Sequence, residues 1–113
     1  MIKACGDWIE YRNLSGLKEI DLHFAGEESV GSYWENMAQI KKLTLNALCQ
    51  AQEEGVQHLL FKHGWSTSRR GNTTSRSVVR GVMRSKEATP YIIRKECIQH
   101  DSVFVAKIRA KKD

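Results

Sequence analysis

The sequence predicts an α/β fold, a two-layer β-α-β-α-β-β sandwich on a mixed, mostly parallel four-stranded sheet. Three observations carry that expectation. Two segments place apolar residues at helical spacing, a short apolar run lies between them, and two strand-like segments follow near the C-terminus. The chain has 113 residues, 41% of them hydrophobic, which is enough for one core without disulfides or metal. We therefore expect one domain over residues 18–113, preceded by an N-terminal arm, residues 1–17.

The elements follow in order. Lys18-Glu19-Ile20-Asp21-Leu22-His23 alternates, setting Ile20 and Leu22 on one face of a strand. An earlier strand around Trp8-Ile9-Glu10-Tyr11 is an alternative reading of the arm, closed by turn residues Asn13, Ser15 and Gly16. Ser32 and Glu35 have capping-box spacing. Tyr33, Met37, Ile40, Ala47, Leu48 and Ala51 then recur at helical spacing up to Gly55, predicting a helix over 33–54. Val56 to His63 has a continuous apolar centre, as in an interior strand covered on both faces. Strand, helix and strand in this order form a βαβ unit, so the two strands should run parallel. Residues 64–75 are rich in Gly, Ser, Thr and Arg and read as a loop. Beyond it, a helix from about Arg76 to Ser85 would bury Val78, Val79, Val82 and Met83 and line up Arg76, Arg80 and Arg84 at four-residue intervals. Pro90 opens a closing hairpin, with strands over 91–98 and 103–109.

Charge is distributed unevenly. The net charge is +5, yet residues 1–54 hold nine acidic against five basic residues. Residues 55–86 hold Lys62, Arg69, Arg70, Arg76, Arg80, Arg84 and Lys86 and no acid. A run of this kind makes a local positive field suited to a polyanion, although a solvated basic surface has the same composition. No apolar stretch approaches the roughly 18 residues of a membrane span, and no secretory leader is evident, so a cytoplasmic location is expected. Cys5, Cys49 and Cys97 are odd in number and widely spaced, as reduced thiols are. Cys97 and His100 are three apart, but a metal needs three or four converging ligands, and no second pair has suitable spacing. No metal or cofactor is expected.

In an open sheet, ligands bind beyond the carboxyl ends of parallel strands, which would bring Asp21, His23, His63 and Gly64 to one edge. The following loop can aim amides and a helix N-terminus at phosphate. Gly64 and Gly71 allow close approach, and Ser66, Thr67, Thr73, Thr74 and Ser75 supply hydroxyls. Arg69, Arg70 and Arg76 can hold phosphate oxygens in bidentate fashion. The GxxxxGK[ST] pattern of a triphosphate loop is absent. His23 and His63 titrate near neutrality and suit general acid–base work on a phosphodiester, with Asp21 orienting one of them. The same Asp21–His23 pair also suits a structural hydrogen bond. Trp65 suits either base stacking or a core position, whereas Trp8 and Trp34 are assigned to packing.

Ile20-Asp21-Leu22-His23, a long helix, and a strand ending His63-Gly64 together resemble the small MutS-related (Smr) domain over residues 18–109. That family carries a DLHG motif after its first strand and an HGxG motif after its second. Its members include DNA-nicking and RNA-cleaving endonucleases, some of them associated with ribosomes. Asp21 and His23 match the first motif, and His63 and Gly64 match the first half of the second. Phe24 and Ser66 stand where the motifs have glycine, and Arg69-Arg70-Gly71-Asn72 lengthens the loop. The resemblance implies a nucleic-acid-binding endonuclease with Asp21, His23 and His63 at its catalytic site. Gly64, Trp65, Ser66, Arg69, Arg70, Thr74, Arg76, Arg80 and Arg84 would contact the nucleic acid. Two alternatives are a non-catalytic RNA- or DNA-binding module and a small phosphate- or nucleotide-binding enzyme. RNA and DNA are not distinguished, and oligomeric state is open.

Overall fold

Five strands form one sheet in the order β1-β4-β5-β3-β2, with β1 Ile2–Ala4, β2 Leu17–Asp21, β3 His58–Lys62, β4 Ile98–His100 and β5 Val103–Lys107. The helices are α1, Tyr33–Glu54, and α2, Ser75–Arg84. The computed structural model describes residues 1–22, 33–63 and 75–111, and side chains at 1–22, 38–63 and 76–111. The pairs β1–β4 and β2–β3 are parallel, while β5 is antiparallel to both β3 and β4. Four strands therefore share one direction and β5 alone opposes them. The α/β class and the parallel β2-α1-β3 unit match expectation. The strand count does not, because Ile2–Ala4 adds a fifth strand at the β4 edge.

Both helices cover one face. Along α1, Ile40, Thr44, Leu48 and Ala51 are buried at helical spacing, and the Thr44 hydroxyl donates to the Ile40 carbonyl at 2.7 Å, which satisfies it inside the core. The helix ends in a Schellman motif. Gly55 has φ +76°, its amide reaches Gln52 O at 3.3 Å, and the Val56 amide reaches Ala51 O at 3.0 Å. On α2, Val79, Val82 and Met83 are buried. These residues pack with Leu22, Leu59, Phe61, Phe104, Ala106 and Ile108 into the main core.

A short 3-10 helix, Ile9–Asn13, covers the opposite face. Trp8, Tyr11, Leu14 and Leu17 pack there against buried Leu60, Val103 and Val105. The segment read as an arm thus supplies an edge strand and closes a second core, and Trp8 packs as assigned. The alternation of β3 explains its continuous apolar run: Leu59 and Phe61 face the helices while Leu60 faces the 3-10 helix.

The closing hairpin is shorter than expected on its first side. Residues 91–97 make only the isolated bridge Ile92–Ile108 and a 3-10 turn, Arg94–Glu96, before β4 begins. The cause is Arg94. Its Nε donates to Met83 O at 2.8 Å and its Nη2 to Ser85 O at 3.0 Å, so this stretch caps the C-terminus of α2.

Candidate nucleic-acid interface

The carboxyl ends of β1, β2, β3 and β4 lie along one edge of the sheet, because these strands share a direction. The ends of β2 and β3 are tied directly, with the Leu22 amide donating to Lys62 O at 2.9 Å. Asp21 stands in register with Lys62 and is exposed, whereas His63, one residue further on, is 3% exposed. Ile20 and Leu22 belong to the helix-facing core, so Asp21 between them leaves the strand on the other face. His63 continues the parity of Leu59 and Phe61. The strand ends therefore meet as expected, but Asp21 and His63 depart toward opposite faces. His23, Gly64, Trp65, Ser66, Arg69, Arg70 and Thr74 lie outside the described residues.

The arginines of α2 are placed in detail. Arg80 Nη2 donates to His100 O at 3.3 Å and lies 3.8 Å from Asp101 Oδ1. Arg84 Nη2 donates to Gln99 Oε1 at 3.3 Å. Arg80 and Arg84 thus turn toward β4, on the side of the sheet away from β2. Burial holds the Arg80 guanidinium below its ordinary pKa, and the charges of Arg76 and Arg84 push the same way against the opposing pull of Asp101.

His100 organises the β4–β5 turn. The Ser102 amide donates to Nδ1 at 2.9 Å, which assigns the proton to Nε2, and Nε2 donates to Gly6 O at 2.9 Å. Tyr11 meets the ring edge-on at 6.1 Å. Cys97, three residues earlier, is buried in the helix-facing core with Sγ against Ile93 O, so the Cys97–His100 spacing gathers no ligand pair. Sequence reasoning gave His100 no role. Its signal would have been its position at the end of a strand parallel to β3, visible only once β5 is placed between them.

Lys62 and Arg12 both approach Trp8, with Lys62 Nζ 5.9 Å and Arg12 Cζ 4.8 Å from the ring centroid. This puts cationic groups on the second face as well, beside Asp21.

A cleft of about 560 Å³ lies at the far end of the strands, among Gln52, Gln57, Lys107, Arg109 and Lys111. Its polar groups serve each other. Gln52 Nε2 donates to the Pro90 and Arg109 carbonyls, and Lys111 pairs with Glu53 at 2.7 Å. A smaller hollow of about 230 Å³ adjoins Asp21 along β2 and α1. The chemistry-bearing residues favour the carboxyl edge over the larger cleft. No group of three or more potential metal ligands occurs among the described residues, and no described helix is long and apolar enough to cross a membrane. No family model, curated protein or solved structure matches the chain.

Proposed function

We propose that the protein is a nucleic-acid-binding domain of the Smr type that engages the phosphate backbone of RNA or DNA at the carboxyl edge of its sheet. The observation that carries this reading is the acid-free segment 55–86, which includes β3 and the arginine-striped α2. Arginine suits the task because its planar fork pairs with phosphate oxygens and stays charged at any physiological pH. Association with ribosomal RNA falls within this reading.

The tie between Leu22 and Lys62 favours phosphodiester cleavage as a second reading, since it joins Asp21-Leu22 to Lys62-His63, the described parts of the two motifs. In that mechanism one of His23 and His63 takes the proton from an attacking hydroxyl or water. The other protonates the departing oxygen. Against it, His63 is buried and Asp21 leaves by the other face, so binding without chemistry is the better-supported reading.

Incubation with labelled single-stranded RNA, structured RNA and supercoiled plasmid, with and without EDTA, separates the readings. Cleavage abolished by His23→Ala establishes the nuclease. His63→Ala is less informative alone, because removing a buried ring also weakens packing. A salt-sensitive mobility shift without cleavage establishes the binding module. Failure to shift any of the three removes both readings.

A further inference from the structure

We propose that Lys3 of β1 and Arg76, Arg80 and Arg84 of α2 form a phosphate-contact shelf over the β4–β1 half of the sheet, along which a nucleic-acid strand lies. The proposal deepens the nucleic-acid reading, on which it rests, and places the backbone contacts away from the β2–β3 ends that carry the two motifs.

Strand register supplies the first argument. Lys3 pairs with Gln99 across the parallel β1–β4 ladder, where neighbouring strands lie about 4.8 Å apart and paired side chains share a face. Cys97 faces the helix-covered core, so Gln99, two residues on, takes the same face, as its bond to Arg84 requires. One glutamine thus joins a strand lysine to a helix arginine that are 81 positions apart in sequence. Lys3 and Arg84 are both exposed.

The second argument is the charge along the helix. Arg76, Arg80 and Arg84 repeat every four residues, a spacing at which like charges repel. Eight residues of helix span about 12 Å, the axial length of three to four nucleotides of one strand at about 3.4 Å each. Among the described residues, Asp101 is the one carboxylate paired with this row, 3.8 Å from Arg80, and the buried Nε of Arg80 finds no hydrogen-bond partner there. A polyanion relieves the repulsion that the fold leaves in place. A lysine on an edge strand also discourages strand pairing between molecules, but that role does not call for a row of arginines beside it.

The test is fluorescence anisotropy of a fluorescein-labelled 20-nucleotide single-stranded RNA, a 20-base-pair RNA duplex and a 20-base-pair DNA duplex, over a range of salt concentrations. The full chain is compared with Lys3→Ala/Arg84→Ala and with Lys41→Ala/Lys42→Ala, which removes equal charge from an exposed stretch of α1. The shelf predicts that the first double variant loses about tenfold or more in affinity, and that its salt slope falls by about 1.4 on the single strand or 1.8 on the duplex. The α1 variant should change affinity less than about twofold, and Arg84→Lys should keep the slope. Thermal unfolding confirms that each variant is folded. If the chain binds any probe and both double variants weaken that binding equally, or neither does, the shelf is refuted while the nucleic-acid reading stands. If the unaltered chain binds none of the three probes, both fall.

Discussion

Leu22 donates its amide to the carbonyl of Lys62 at 2.9 Å, one residue beyond the last pair of the β2–β3 ladder. This bond closes the β2–β3 ladder at its carboxyl end. Leu22 is also 2% exposed and part of the main core. We expect Leu22→Ala to cost about 3 kcal/mol in urea unfolding, far more than a surface change at neighbouring Asp21.

His100 links three parts of the chain through one ring. His100→Ala should cost about 2 kcal/mol, since it removes the acceptor of the Ser102 amide and the donor to Gly6 O. Amide exchange should rise at Ile2 and Ala4, whose strand is held beside β4, more than in α1. Equal exchange in both places would deny His100 a role in holding β1.

Trp8, Tyr11 and Leu14 are half-buried against the second core. Trp8→Ala should lower stability by about 2 kcal/mol, because the indole covers Leu60, Val103 and Val105. Deleting residues 1–17 should yield a chain that unfolds early or aggregates, as judged by thermal unfolding and light scattering. A truncated chain as stable as the full one would contradict the second core.

Cys97 is buried and its thiol pKa is raised by that burial, whereas Cys5 and Cys49 are exposed. A thiol-reactive dye should therefore label two sites quickly and the third only on unfolding. The proton is held more tightly in the folded state than in the unfolded one. The associated stability is thus full below the unfolded thiol value, about 8.5, and is lost as pH rises from there through the higher folded value. Cys97→Ala should lessen that alkaline loss.

Local physics made α1 legible: helical spacing marked its buried side, and Gly55 marked its end because only a left-handed residue closes a Schellman motif there. β3 was legible from its apolar run. β1 was not, since Ile2-Lys3-Ala4 is too short to show a period and is a strand only because the edge of β4 lies beside it. The first half of the hairpin misled because a strand-like composition at 91–97 was overruled by Arg94 capping α2. At the candidate site, four-residue spacing revealed the arginine stripe. Its direction toward β4 depends on β5 inserting between β3 and β4, a long-range choice that no local pattern encodes.

The central claim is nucleic-acid binding, and the most direct measurement is the affinity of the full chain for labelled single-stranded RNA, duplex RNA and duplex DNA as salt rises from about 50 to 200 mM. With five or six phosphates contacted, log affinity should fall against log salt with a slope of about −3.5 to −4.2 on the single strand or −4.5 to −5.4 on the duplex. A flat slope, or no binding at the lowest salt, would contradict the claim and leave the acid-free segment as a solvated surface.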